Sequence, residues 1–293
     1  MAKPARPNLR KIEVVANVAS GSVGADAPEV VAKILADAGL QANIATPSPD
    51  ELMKALQAAV DARPDLLIIL AGDGTARAAA QLCGPDGPLL APLPGGTMNM
   101  LPHAIYGVRP WPEALALALE KGEERMIGGG SIDGHNFMVA AIMGAPALWA
   151  PAREAARYGK PRLAWLRARR ALRRAFSGRI RYSLDGAEQK KAEALVFMCP
   201  LTSKALDANE AALEAAAFDV HGAADAVKLG FHALTGEWRA SPNVEVTRCQ
   251  LAFAWAKSAI PAILDGESVR LTSLAEIKYQ PRTARMLALD LDD

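Results

Sequence analysis

With 293 residues, 51% of them hydrophobic and 22% charged, the chain is too apolar to be disordered and long enough for two cores. No run approaches the roughly 18 apolar residues of a membrane span, and no signal peptide opens the chain, so a cytoplasmic protein or one on the cytoplasmic membrane face is expected. The formal net charge of +1 says nothing of partners until its distribution is read, and Cys83, Cys199 and Cys249 lack metal-ligand spacing and read as buried reduced thiols.

Met1 to Arg10, with two prolines, reads as a loose leader. The apolar run Ile12 to Ala16 predicts a strand ending in Asn17-Val18-Ala19-Ser20-Gly21, whose Asn, Ser and Gly suit phosphate or ribose contacts. Apolar residues at Val30, Val31, Ile34 and Leu35 predict a helix over Pro28 to Ala38, closed by Gly39. A short strand at Ala42 to Ala45 and a helix over Pro49 to Ala62 follow. Leu66 to Leu70 is apolar throughout, as in a strand buried on both faces of a parallel sheet. It stops at Ala71-Gly72-Asp73-Gly74-Thr75, and Ala76-Arg77-Ala78-Ala79-Ala80 then supplies good helix formers. Gly72 and Gly74 let bare amides approach a ligand, with a helix N-terminus behind them to favour negative charge, though a Gly-Asp-Gly turn is also an ordinary connection. Leu89 to Leu93 repeats the pattern, running into Pro94-Gly95-Gly96-Thr97-Met98-Asn99. A further helix spans Trp111 to Lys121. Alternating strands and helices predict a doubly wound parallel sheet, which binds ligands beyond the carboxyl ends of its strands, where all three loops fall.

Past Gly122 the pattern becomes β-rich with hairpin spacing. Strands are predicted at Met126 to Asp133, Phe137 to Ile142, Ile180 to Leu184, Ala194 to Met198, Val244 to Phe253, Ile260 to Leu264 and Val269 to Thr272, with Asp-Gly turn signals at 133–134 and 185–186. A boundary near Arg125 divides residues 1–124 from a second, sandwich-like domain of residues 125–293. Composition does not say to which domain Ala284 to Leu291 belongs. Between Arg153 and Arg181 stand ten arginines and one lysine against one glutamate, so this stretch carries +10 and the rest of the chain −9. Trp165, Leu172 and Phe176 recur at helical spacing, interleaved with Arg169, Arg170 and Arg173. That suits an interfacial helix drawn to anionic lipid headgroups. It also suits a helix packed on its own domain with a solvated basic face. Aromatic interleaving is poor, and no nucleic-acid partner is expected.

The three loops, in this order, resemble those of the diacylglycerol kinase family of lipid kinases, which includes sphingosine and ceramide kinases and is related to NAD kinases. The family's Asn-Pro-x-Ser-Gly, Gly-Gly-Asp-Gly-Thr and Pro-x-Gly-Thr-x-Asn loops stand here as Asn17 to Gly21, Ala71 to Thr75 and Pro94 to Asn99. The resemblance implies an N-terminal α/β domain and a C-terminal β-sandwich, with terminal strands often packing back onto the first domain. It further implies ATP with Mg²⁺ and transfer to a lipid hydroxyl in a cleft between the domains. Asn17, Ser20, Gly21, Gly72, Gly74, Thr75, Gly95, Gly96, Thr97 and Asn99 would then hold the nucleotide. Arg77, where the family often has Asn, would serve as a phosphate ligand, and Asp73 would act through Mg²⁺ or by fixing its loop. Asp265-Gly266-Glu267, on its face a hairpin turn, occupies the place of the family's catalytic carboxylates, which implies Asp265 as general base and Glu267 as metal or network partner. The chain departs from the family at Ala71, Val18, Met100, Pro146 and around Ala215 to Val220, so acids that would serve a metal or a lipid headgroup are missing.

The expected function is therefore an ATP-dependent kinase of a two-chain lipid, ceramide or diacylglycerol. The alternatives are a kinase of a soluble acceptor, as in NAD kinases, and a catalytically silent nucleotide or lipid sensor.

Overall fold

The computed structural model describes residues 9–149, 162–163, 165–166, 179–203, 205–206, 210–219 and 238–291. Of the expected membrane-contact residues, Arg169, Arg170, Leu172, Arg173 and Phe176 lie outside these. Trp165 is helical and 61% exposed, beside Leu166 at 58%. Among the described residues no helix is long and apolar enough to cross a membrane. The chain divides into two compact units, Met1–Gly128 with Pro281–Asp293, and Gly129–Gln280.

The first unit is the expected α/β sheet. Strands β1 (Ile12–Ala16), β2 (Asn43–Ala45), β3 (Leu66–Ala71) and β4 (Leu89–Pro94) are parallel in the order β2-β1-β3-β4. Every residue of β3 and β4 is buried, because helices cover the sheet and leave no polar face to alternate. These helices are α1 (Ala27–Asp37), α2 (Leu52–Asp61), α3 (Asp73–Cys83), α4 (Met100–Tyr106) and α5 (Trp111–Lys121). The chain leaves β1 for β2 on one side and returns past β1 to β3 on the other. The direction of winding thus reverses between β1 and β3, and a ligand crevice forms at such a reversal. Beside β4, in register at Leu90 and Met286, runs the last part of a strand that begins in the second unit.

The second unit is built from antiparallel strands. One sheet has the order β12 (Val244–Cys249), β11 (Leu213–Phe218), β10 (Ala194–Met198), β7 (Ala140–Gly144), β14 (Pro261–Leu264), β15 (Glu267–Arg270). The other joins the first part of β16 (Leu274–Ala288) to β13 (Leu251–Trp255), β8 (Ile180–Leu184) and β9 (Lys190–Ala192). A hairpin of β5 (Glu123–Ile132) and β6 (His135–Phe137) accompanies it. Inward residues from both sheets, such as Phe197, Leu213 and Leu264 from one and Ala252, Ala254 and Ile277 from the other, form one core, as in a sandwich.

Three hairpins turn on Asp-Gly: Asp133-Gly134, Asp185-Gly186 and Asp265-Gly266. Both residues of each pair have positive φ, from +46° to +48° at the aspartates and +77° to +87° at the glycines, the type I′ geometry that matches strand twist. The three cysteines are buried. Burial pushes the thiols up, to about 11 for Cys83 and about 12 for Cys249, and leaves them without thiolate character at neutral pH.

Candidate functional site

The three glycine-bearing loops follow β1, β3 and β4 and are stitched to one another. Ser20 Oγ donates to the Gly95 carbonyl at 2.6 Å, and Ser22 Oγ donates to the Gly96 carbonyl at 3.0 Å. The Gly95 amide donates to the Ala71 carbonyl at 3.1 Å, and the Asn17 amide to the Leu70 carbonyl at 2.9 Å. Glycine is required at the contact: a Cβ on Gly96 would stand 2.6 Å from Gly72 Cα, and one on Gly95 2.8 Å from the Ala71 nitrogen. The close approach of backbones is thus the construction principle of this site.

Several side chains expected to reach a nucleotide are bonded within or between the loops. Asn99, left-handed at φ +51° and 8% exposed, accepts from the Gly96 amide at 2.7 Å and donates back to the Gly96 carbonyl at 3.0 Å. Asn17 Oδ1 accepts from the Ala19 amide at 3.2 Å, a local turn. Ser20 is committed to Gly95 as described. At the opening of α3 Gly72 is the cap with no side-chain acceptor, Thr75 and Arg77 are half-buried, and Thr97 and Gly21 are exposed. The first amides of an eleven-residue helix, approached through glycine, can receive an anion.

Asp73 sits at that opening. Its Oδ1 accepts from the Leu101 amide at 3.3 Å, so the carboxylate serves the N-terminus of α4 across the loops. Its pKa is raised from the ordinary value: burial strips solvent from the carboxylate, and the amides of Leu101, Asn99 and Met100, with the nearby His103, oppose this only in part. Sequence reading missed both α4 and His103. The helix has seven residues with Pro102 among them and a left-handed residue before it, so no period or cap signal announces it.

In the second unit Asp265 is 3% exposed and its carboxylate accepts three amides: Met138 at 2.8 Å, Val139 at 2.9 Å and Ala140 at 3.0 Å. Glu267, two residues on, is exposed at the start of β15. Ala215 and Ala216, where family acids are missing, lie buried in β11. The acid next to them is Glu214, 1% exposed, which takes Arg239 Nε at 2.6 Å and Nη2 at 3.0 Å and accepts from Ser203. The Arg239 guanidinium lies 4.2 Å from the Trp238 ring centre, and Trp238 stacks on Phe218 at 5.6 Å. Nothing in the spacing of these residues announces this network.

Among the described residues no three of His, Cys, Asp and Glu converge as a metal site. Asp73 and Glu267, the acids expected to serve Mg²⁺, belong to no such cluster among the described residues.

Residues 11–132, which carry all three loops, match the family model of the diacylglycerol kinase catalytic domain. Among solved structures, the chain is similar to a diacylglycerol kinase from Bacillus anthracis str. Sterne, with TM-score 0.69 at 14% identity, covering 97% of this chain and 98% of that one. A second structure from that organism, proposed as a diacylglycerol kinase, gives TM-score 0.74 at 16% identity over 98% of both chains. A third gives 0.69 at 16% over 98% and 99%. At such identity the likeness is one of fold. None of the curated proteins compared matches the chain. Residues 11 to 132 are thus similar to the diacylglycerol kinase catalytic domain, in a chain that shares the fold of these bacterial structures along nearly its whole length.

Proposed function

We propose that the protein is an ATP-dependent lipid kinase that transfers the γ-phosphoryl group to the primary hydroxyl of a two-chain lipid, diacylglycerol or ceramide. The observation that carries this reading is the set of three interlocked glycine loops at the winding reversal of a parallel sheet, within a segment matching a diacylglycerol kinase catalytic domain. The opening of α3 would take the phosphates on its amides, with Arg77, Thr75 and Thr97 adding donors. In the reaction the hydroxyl oxygen bonds to the γ-phosphorus, the bond to the leaving diphosphate breaks, and the hydroxyl proton leaves to a carboxylate or to water. Because little covalent work falls to the protein in phosphoryl transfer, fixed loops and positioned charge are what such a site needs.

The acceptor side is assigned to the second unit. The +10 stretch from Arg153 to Arg181 would draw the protein onto anionic headgroups at about 1 kcal/mol per basic residue near the surface. The exposed Trp165 and Leu166 are consistent with an apolar edge there. A binder without transfer is the second reading, favoured by one observation: no acidic metal cluster stands among the described residues.

The test is transfer of label from γ-labelled ATP with Mg²⁺ to diacylglycerol, ceramide, sphingosine and NAD in mixed micelles. A single labelled lipid supports the kinase and names its substrate. ATP binding with no acceptor labelled moves the protein to the second reading. Labelled NAD alone makes it a kinase of a soluble acceptor.

A further inference from the structure

We propose that the outer face of the sheet β16-β13-β8-β9 is a docking surface for an anionic lipid bilayer, seated on the row Lys191, Arg181, Trp255 and Leu274. The inference rests on the reading above in taking the acceptor to be a lipid. It goes further in naming a face of the second unit, with an apolar centre that the basic stretch alone does not supply.

Side chains alternate across a strand, so the residues sunk in the sandwich core fix which ones point away from it. Ala252 and Ala254 of β13, Ala275 and Ile277 of β16, Tyr182 of β8 and Ala192 of β9 all belong to that core. The opposite face therefore takes Leu251, Phe253 and Trp255 from β13, Leu274, Glu276 and Lys278 from β16, Arg181 from β8 and Lys191 from β9. Register lines four of these up across the sheet: Trp255 pairs with Leu274 on one side and Arg181 on the other, and Arg181 pairs with Lys191. Phe253 stacks on Trp255 with ring centres 6.0 Å apart. An antiparallel strand with one face on the core is expected to present polar residues on the other. β13 does the reverse, with Leu, Phe and Trp at all three outward positions, each half-buried among its neighbours, while Leu274 beside them is 49% exposed.

Charge selects the occupant. Arg181, Lys191 and Lys278 are exposed on this face, and its one acid, Glu276, pairs with Lys278 at 2.8 Å. What remains uncompensated in the row is positive, and the stretch of ten arginines ends at Arg181, inside β8. A second copy of the chain laid on this face would set Arg181 and Lys191 against their own kind, which disfavours a symmetric pair. An anionic bilayer meets both halves of the row. Tryptophan settles at the level of the headgroups, leucine enters the acyl boundary, and the stems of Arg and Lys lie along apolar surface while their charges reach phosphate.

The probe is vesicles of phosphatidylglycerol, with vesicles of phosphatidylcholine for comparison, and binding is read by flotation without ATP. The unaltered protein should float with phosphatidylglycerol. Arg181→Gln with Lys191→Gln should weaken binding by about 30-fold, the equivalent of about 1 kcal/mol for each charge, and the difference should shrink as salt is raised. Trp255→Ser with Leu274→Ser should weaken it at every salt concentration. A polarity-sensitive fluorophore on Leu274→Cys, where labelling is selective because Cys83, Cys199 and Cys249 are buried, should shift to the blue on phosphatidylglycerol vesicles. This labelled protein decides the matter should either pair fail to fold. Undiminished binding in both pairs, or no shift of the fluorophore on vesicles, overturns the surface. A shift that follows protein concentration without vesicles makes the face a contact between copies and overturns it too. If the unaltered protein floats and phosphorylates none of the acceptors above, the kinase reading fails and the surface stands. If it phosphorylates a lipid in micelles and does not float, the kinase reading stands and the surface falls.

Discussion

The two units spend the same dipeptide differently. In the first, Asp73-Gly74 opens helix α3, and the carboxylate reaches across to the amides that begin α4. In the second, Asp133-Gly134, Asp185-Gly186 and Asp265-Gly266 lie in left-handed hairpin turns and fasten strands. What decides is the flank. Gly72 in extended conformation caps a run of alanines that propagates a helix, whereas Leu264 and Glu267 face each other across a two-residue turn. The contrast extends to charge. The first unit keeps Asp73 part-solvated at a site of backbone amides, whereas the second buries Glu214 and Asp265 with their partners supplied.

The largest expected effect breaks the second half of this comparison. Arg239→Met leaves the Glu214 carboxylate buried without its cation and should cost about 3–5 kcal/mol, read as a fall in the urea midpoint. The double variant with Glu214→Leu should recover most of it, since removing both charges is near neutral in such pairs. In the first unit, Gly96→Ala drives a Cβ to 2.6 Å from Gly72 Cα and should cost about 1–3 kcal/mol. It should also abolish nucleotide binding by calorimetry, because the loops must part.

Asp73 gives a smaller and more discriminating test. Asp73→Ala removes the acceptor at α4 and should cost about 1 kcal/mol, while Asp73→Asn keeps an acceptor and should leave stability close to unchanged. Because the Asp73 pKa is raised in the folded protein, its contribution is fully present below the ordinary value of 3.8 and is lost as pH rises through its own higher value. Stability should therefore decline across that window in the unaltered protein, and Asp73→Asn should remove this part of the slope. The smallest effect is expected at Arg282, whose pairing with Asp86 at 2.9 Å joins two exposed side chains. Arg282→Ala should change stability by about 0.5 kcal/mol or less.

The first unit was largely legible because its strands are continuous apolar runs and its helices carry clear periods. β1 and α5 run over the very residues expected, and β3 and β4 each extend one residue further. The second unit was less so, for reasons that can be named. β11 is Leu-Glu-Ala-Ala-Ala-Phe, whose local preference is helical, and only pairing on both edges makes it a strand. The single strand expected from Val244 to Phe253 is two, β12 and β13, which belong to different sheets. The break falls at Gln250, whose amide is drawn to Asp185 instead of a ladder partner. At the candidate site the glycines and their order could be read from the chain. That Ser20 would be consumed in a loop-to-loop bond could not, because that bond depends on how closely two backbones approach.

Strand β16 sets an order of events during synthesis. Its last part belongs to the unit that β1 to β4 begin, next to β4, yet it leaves the ribosome only after the whole second unit has been made. The nascent first unit must wait with the β4 edge of its sheet uncovered while the sandwich folds. An open, apolar edge of this kind is a target for chaperones and for misassembly between neighbouring nascent chains. A ribosome stalled before β16 would thus hold a chain that has every loop of the candidate site and lacks the strand that runs beside β4.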